Sequence, residues 1–426
     1  MKIIHGDCLE ELKRLEDNSV DAVITDPPYG LSNTKPVQVA EILGRWVNGD
    51  TNHVPEKRGG FMGKDWDSFV PPPAVWQECM RVLKPGGHMA VFAGARTQDL
   101  MGLSIRLAGF EIRDTLGWIY GSGFPKSMDV SKAIDKAAGA EREVIGSKVT
   151  GNAKQRTSAT GEFADGNHGG QQVVDVTAPA TSEAQRWDGW GTALKPAIEP
   201  IILARKPLDG TVANNVLAHG VGGLNIDACR VGSGTGEPKP EYVANDKNQV
   251  YGAGMGGGAW VNTSGRFPAN VLLDEHAAKE MDKQSGVSAS TQRTGKRSGK
   301  SKDILGDFVG QENVTMGHTD SGGASRFFPV FKYQAKAPKR ERPVIVREDG
   351  TKVQHPTVKP LALMEWLITL ITPEGGTILD PFAGTGTTLQ AATNKGFNPI
   401  GIEADTDYIQ LINKRMEGGN TSTRNN

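Results

Sequence analysis

Two short stretches hold residue types that could do chemistry. The first is "DPPY", Asp26, Pro27, Pro28 and Tyr29, which follows the apolar run "DAVIT". An exocyclic amino group on adenine or cytosine is a poor nucleophile because its lone pair is delocalised into the ring. A carboxylate at Asp26 and the carbonyl of Pro27 can accept its two hydrogens, which favours a pyramidal nitrogen with an available lone pair. Pro28 keeps such a turn rigid and adds no competing donor, while Tyr29 offers a flat face on which a base can stack. A strand-terminal proline turn with a surface tyrosine uses the same letters, so these four residues alone leave both readings open.

The second stretch is "TILDPFAGTGTTLQAATNKG", Thr377 to Gly396. "TILD" reads as a buried strand ending at Asp380, and Gly384 and Gly386 permit close backbone approach. The helix that follows aims its free N–H groups and positive dipole end at the turn. Glu403 stands nineteen residues past Gly384, at the end of the strand "PIGIE", where it can accept hydrogen bonds from a ribose diol. A dinucleotide-binding turn places a third glycine where this chain has Leu389, which weighs against a nicotinamide dinucleotide.

Both stretches need a sheet to bring them together. "KIIHGD", "DAVITDPPYG" and "GGHMAVFAG" read as strands, with "PAVWQECMRVLKPGG" and "RTQDLMGLSIRLAGF" as amphipathic helices between them and "LKPGG" as a helix stop. "EIRDTLGWIYG" and "PAIEPIILARKPL" add two strands, and "KPLALMEWLITLI" a helix before the glycine turn. This alternation predicts an α/β fold, with a doubly wound, mostly parallel sheet covered by helices on both faces. Residues 147–188 and 232–323 are polar and glycine-rich with little periodicity, and read as long loops or partly disordered insertions.

Composition sets outer limits. The chain has 426 residues, 37% hydrophobic and 23% charged, with 54 glycines, which points to a globular but loop-rich protein. The formal net charge is only −1, so a polyanion must be met by a local basic patch. Three cysteines, Cys8, Cys79 and Cys229, lie far apart without a CxxC, against a disulfide framework or a metal site. The N-terminus reaches Asp7, Glu10 and Glu11 too early for a signal peptide, and no apolar run has the length of a membrane span. A cytoplasmic protein is the expectation.

"DPPY" together with "DPFAGTGTT" resembles the amino-group DNA methyltransferases, which use S-adenosylmethionine to methylate adenine N6 or cytosine N4. Their halves occur in different orders by circular permutation. This chain is similar to the beta group, in which the catalytic half comes first, a target-recognition region follows and the cofactor half comes last. The resemblance thus implies a Rossmann-like methyltransferase fold, permuted, with an inserted recognition region. It divides the chain into a catalytic half at 1–207 (with the insertion about 147–188), a recognition region at 208–345, a cofactor half at 346–416 and a frayed tail at 417–426. "HPTVKP" resembles the segment beside the methionine end of the cofactor, which implies roles for Thr357 and Lys359. "HGDCLEEL" is similar to the piece that touches its adenine, which implies Asp7 and the Cys8 backbone. Asp7 also suits a helix N-cap, and that reading stays open. By the same resemblance Asp26, Asp380, Phe382, Gly384, Gly386, Thr387, Thr388 and Glu403 hold the cofactor, and Asp26, Pro27, Pro28 and Tyr29 form the catalytic turn.

Double-stranded DNA is the implied partner, with a homodimer and a companion restriction enzyme as further partners the class admits. Lys332, Lys336, Lys339, Arg340 and Arg342 surround Tyr333 and are opposed only by Glu341, which suits phosphate contacts; Arg293, Lys296, Arg297, Lys300 and Lys302 form a second, Ser/Gly-rich basic run. The segment from Leu31 to Phe69, with Arg45, Trp46, Lys57, Arg58, Lys64 and Trp66, corresponds to the loop that closes over an extruded base in this family, although its tryptophans also suit packing on the sheet. "GSGFPKS", Gly121 to Ser127, is a further turn near the base pocket by analogy. "GRFPANVLLD" and "SRFFPVFKYQAKAPKRER" resemble segments of phage- and prophage-encoded members. The expected chemistry is direct in-line methyl transfer without a covalent enzyme intermediate or a metal. The resemblance implies adenine N6 over cytosine N4, since Asp at the first position of the tetrapeptide is more usual in the adenine enzymes and Ser in the cytosine N4 enzymes. An RNA or protein-amide methyltransferase and an inactive DNA-binding relative remain as alternatives.

Overall fold

Every residue of Val20–Thr25 is buried, which marks a strand covered on both faces. In the computed structural model this strand lies inside a nine-stranded sheet. The structure describes all residues except 33, 56–66, 122, 124–126, 151–171, 233–264, 292, 296–313, 317–319, 332–342, 348, 355–357 and 420–426. The sheet strands are β1 (Lys2–His5), β2 (Val20–Thr25), β3 (Leu83–Phe92), β4 (Glu111–Ile119), β5 (Ile198–Arg205), β6 (Val271–Asp274), β7 (Val330–Phe331), β8 (Thr377–Asp380) and β9 (Asn398–Glu403). Their order is β1-β9-β8-β2-β3-β5-β4-β6-β7. Every neighbouring pair is parallel except the two that involve β5, which is antiparallel to both β3 and β4.

The helices of this unit are α1 (Cys8–Leu12), α2 (Pro36–Val47), α3 (Pro73–Val82), α4 (Gln98–Leu107), α5 (Val212–His219), α6 (Glu275–Ser285), α7 (Leu361–Ile371), α8 (Thr387–Asn394) and α9 (Thr406–Gly419). Alternation along each strand sends side chains to opposite faces. Val23, Met89, Val91 and Leu379 meet Leu12, Trp46, Trp76, Met101 and Ile105 from α1 to α4. Ala22, Ile24, Ala90, Phe92 and Ile378 meet Leu363, Leu367, Ile368 and Ile371 of α7 and Ala391 and Ala392 of α8. The doubly wound, mostly parallel sheet expected from the sequence is therefore present. One local reading changes, and one open alternative is decided. "LKPGG" does end α3 at Val82, but its residues open β3 instead of forming a turn. Gly86, at φ +75°, lets that irregular start pair with Pro207, and Gly87 pairs with Lys206. Trp46 is a core residue, with its indole N–H donating to the His53 carbonyl at 2.7 Å.

The chain divides into two compact units, and Ser122–Ala197 forms the smaller one. It contains helices Val130–Ala137 and Ser182–Arg186 and an antiparallel pair, Val144–Thr150 with Gln172–Thr177. Part of the stretch expected to be irregular is thus ordered. The reason lies in Asp135, a buried carboxylate that accepts from Arg142, from the backbone N–H of Ala180 and Thr181, and from the Thr181 hydroxyl, tying both helices to the end of the pair. Among the described residues no helix is long and apolar enough to cross a membrane.

Candidate active site

Parallel strands end at one edge of the sheet, so the residues that follow β1, β9, β8 and β2 come together there. β5 runs the other way and brings its first residues to that same edge: Phe92 pairs with Ile201, and the Ala93 N–H donates to the Pro200 carbonyl at 2.9 Å. The result is a cleft of about 550 Å³. Seven acidic residues line it, namely Asp7, Asp26, Asp67, Glu199, Asp380, Glu403 and Asp405, and Lys359 is the single Lys or Arg among the described lining residues.

The tetrapeptide turn occupies one side. The Tyr29 hydroxyl donates to Asp26 Oδ1 at 2.8 Å, and Lys359 Nζ donates to the Tyr29 hydroxyl at 2.8 Å. The same ammonium lies 2.8 Å from Glu199 Oε2 and 3.3 Å from Asp26 Oδ2. Burial works against the Lys359 charge, but the Asp26 and Glu199 carboxylates outweigh it and hold its pKa above the ordinary lysine value. Burial, with the Asp26 and Glu199 charges, likewise pushes the Tyr29 phenol well above its usual range, so it stays a donor. The turn is fixed from behind by Asp67, which accepts from the Gly30 N–H at 2.8 Å and the Leu31 N–H at 3.4 Å, and by Thr97, whose hydroxyl donates to the Tyr29 carbonyl at 2.6 Å. Gly30 adopts φ +67° there, and a Cβ at this position would meet the Val70 N at 2.7 Å.

The glycine turn forms the other side. Gly386, at φ +75°, is the N-cap of α8, and the Gly384 N–H donates to Glu403 Oε2 at 2.7 Å. Glu403 Oε1 accepts from the Asp405 N–H at 2.9 Å. Burial pushes the Glu403 carboxyl up to about 7 despite these two bonds. Burial also raises Asp380 to about 6, against hydrogen bonds from Thr25 (2.6 Å), Thr388 and the Phe382 N–H (3.1 Å). Arg415, on α9, donates to the Thr385 carbonyl at 2.6 Å and to Gln390 at 3.0 Å, pinning the turn from below. Leu389 is accommodated by a glycine on the facing strand. A Cβ on Gly401 would lie 2.7 Å from Leu389 Cδ1, so the close helix–strand approach is made at Gly401. Phe382 packs on Trp76 with ring centroids 6.2 Å apart.

The structure brings Asp7, Cys8, Asp26, Pro27, Pro28, Tyr29, Lys359, Asp380, Phe382, Gly384, Thr387, Thr388 and Glu403 to the same cleft. Asp7 is also the α1 N-cap, accepting from the N–H of Leu9 and Glu10 at 3.0 and 3.3 Å. Thr357 and the cluster Lys332, Tyr333, Lys336, Lys339, Arg340 and Arg342 lie outside the described residues, as do Lys57, Arg58, Lys64 and Trp66. Three of the seven acidic lining residues escaped sequence reasoning, Glu199, Asp67 and Asp405. An acid heading the apolar run "EPIILAR" is a signal only once that strand is known to run backwards; Asp67 had no local signal at all.

A family model described as DNA methylase (N6_N4_Mtase) matches residues 20–154 and 184–414. Over 435 residues the chain is 22% identical to the type II methyltransferase M.HindIII of Haemophilus influenzae, covering 97% of this chain and 94% of that one. A 63-residue stretch is 49% identical to the type II methyltransferase M.BglI of Bacillus subtilis, covering 15% of this chain and 18% of the relative. Among solved structures, the cytosine-N4-specific PvuII DNA methyltransferase is similar at 12% identity with a TM-score of 0.43, covering 97% of this chain and 85% of that chain. The fold and the family match define an amino-group methylase. The chain belongs to this N6/N4 DNA methylase family, and S-adenosylmethionine is its methyl donor.

The residues present fit that donor. Glu403 offers two carboxylate oxygens to a ribose diol, the α8 N-terminus presents backbone N–H groups past a left-handed Gly386, and the acidic lining suits a sulfonium cation. Side chains at Gly384 or Gly386 would be strained, since both glycines hold positive φ, and a Cβ on Gly386 would meet Ile412 Cγ2 at 3.0 Å.

Proposed function

We propose that this chain methylates the N6 amino group of adenine in double-stranded DNA at a specific site, with Asp26, Pro27, Pro28 and Tyr29 as the catalytic turn. The observation that carries this reading is the Asp26–Tyr29–Lys359 cluster at the end of β2, beside the Asp380–Glu403 turn and inside one cleft. S-adenosylmethionine, when bound, supplies an electrophilic methyl on a sulfonium, which departs as a neutral thioether. Asp26 and the Pro27 carbonyl accept the two hydrogens of the amino group, and the Asp26 carboxylate receives the proton that nitrogen gives up for the methyl. Tyr29 stacks against the base. Glu403 takes the ribose, Asp7 and the Cys8 backbone the adenine of the donor, and Thr387, Thr388, Lys359 and Thr357 its methionine end, with Phe382 packed alongside.

Residues 208–345 act as the target-recognition region, and Lys332, Tyr333, Lys336, Lys339, Arg340 and Arg342 contact the DNA backbone. The aspartate that opens the tetrapeptide supports adenine. The order in which the tetrapeptide precedes the cofactor turn supports DNA over RNA or a protein amide.

The test is to incubate the protein with labelled S-adenosylmethionine and unmethylated genomic DNA, digest to nucleosides and identify the product by mass spectrometry. N6-methyladenine is expected. N4-methylcytosine would keep the fold and the catalytic turn and overturn the choice of base. Asp26→Ala should abolish transfer while cofactor binding stays measurable, and full activity in that variant would remove Asp26 from the mechanism.

A further inference from the structure

We infer that Glu199, at the head of the reversed strand β5, is a positioning residue that draws the Lys359 ammonium off Asp26 and so keeps the Asp26 carboxylate a strong acceptor. This rests on the reading of Asp26 as the group that orients the amino nitrogen.

Lys359 is buried and faces three oxygen atoms. Nζ lies 2.8 Å from Glu199 Oε2, 2.8 Å from the Tyr29 hydroxyl and 3.3 Å from Asp26 Oδ2. The ammonium is therefore closer to Glu199 than to Asp26, with Phe92 (4.7 Å from Nζ to the ring centroid) and Tyr29 (5.3 Å) beneath it. Asp26 Oδ1 already accepts from Tyr29 at 2.8 Å, so Oδ2 is the oxygen with more open acceptor capacity. A lysine paired with Asp26 alone would close on that oxygen and pull electron density from the group that must accept from the base. Charge-assisted bonds are short and strong, so a competing carboxylate is what can hold the ammonium back. Glu199 supplies it, and it can do so because β5 alone in the sheet runs backwards and delivers its first residues to the edge where β2 delivers its last. No reacting atom touches Glu199 in this scheme. It acts through Lys359, and removing its charge weakens the chemical step and leaves binding of either substrate in place.

The experiment compares Glu199→Gln, Glu199→Asp and Asp26→Ala in the full chain, measuring kcat, KM for DNA, cofactor affinity by calorimetry and the thermal midpoint. Expected for Glu199→Gln is a kcat lowered by on the order of tenfold to a hundredfold, with KM for DNA and cofactor affinity within about twofold of the native values. Glu199→Asp should recover part of the loss, since it restores the charge at a longer reach. In a Lys359→Met background, whose own cost to cofactor binding is measured separately, Glu199→Gln should lower kcat no further. Native kcat in Glu199→Gln with Asp26→Ala inactive would overturn the role of Glu199 and leave that of Asp26 standing. A Glu199→Gln protein that loses cofactor binding and thermal stability together would also overturn it, in favour of a purely structural ion pair. Full activity in Asp26→Ala would overturn the underlying reading instead.

Discussion

Glu403 sits where burial and hydrogen bonding pull in opposite directions. Burial wins, and its carboxyl titrates from the ordinary 4.5 up to about 7. The sign of the consequence follows from linkage. A carboxyl whose pKa is raised on folding contributes stability to the free protein that is fully present below its unfolded value and lost as pH rises through the folded one. A ribose diol needs the ionised form as acceptor, so affinity runs the other way. Cofactor affinity should rise on the order of tenfold between about pH 6 and pH 8, while the thermal midpoint of the free protein falls across about pH 4.5 to 7. In Glu403→Gln both slopes should flatten, and calorimetry with thermal unfolding over that range checks them; unchanged slopes would assign the titration elsewhere. Glu403 was legible in the sequence because its distance from Gly384 follows from one strand–helix–strand unit. Glu199 was not, because its place depends on the direction of a strand that no local pattern encodes. Asp7 was legible twice over, and the structure keeps both possibilities by making it an N-cap that faces the cleft.

At the scale of elements, the contact between α8 and β9 is open to a single change. Leu389 fills the space over Gly401, and a Cβ there would approach Leu389 Cδ1 and Cδ2 to 2.7 and 2.9 Å. Gly401→Ala should therefore push the helix off the strand, costing about 1–3 kcal/mol in denaturant unfolding and weakening cofactor binding with it. Shortening the neighbour in Leu389→Ala/Gly401→Ala should cost less than the sum of the single changes. The sequence displayed a leucine where a dinucleotide turn has glycine, and from one strand that looks like an obstruction. Only the pairing of β8 with β9 reveals the compensating glycine across the gap. The buried strands and the long helices were readable from periodicity, whereas "LKPGG" misled because its punctuation residues are used inside a strand start. The small antiparallel pair at 144–150 and 172–177 was masked by the polar run between its halves.

Along the chain, the smaller unit is inserted between two strands that pair with each other. Ile119, the last residue of β4, lies directly opposite Ile198, the first of β5, so the two ends of the inserted stretch are already neighbours in the sheet. Replacing residues 122–197 with a tight turn of a few residues should leave the sheet closed. Such a protein should keep its cofactor-dependent stabilisation, about 3 kcal/mol at a hundredfold excess over Kd. Loss of that stabilisation would mean that the sheet depends on the inserted unit. Among the described residues the cleft sets seven acidic side chains against one ammonium, so it draws in cations. The methyl donor arrives positively charged and leaves neutral, having handed over its charge with its methyl group. The potential that admits the fresh donor thus loses its hold on the spent one. Added salt should weaken binding of the donor more than that of its demethylated product. In this way the acidic wall works as a turnstile, drawing in each new donor while giving little resistance to the exit of the last.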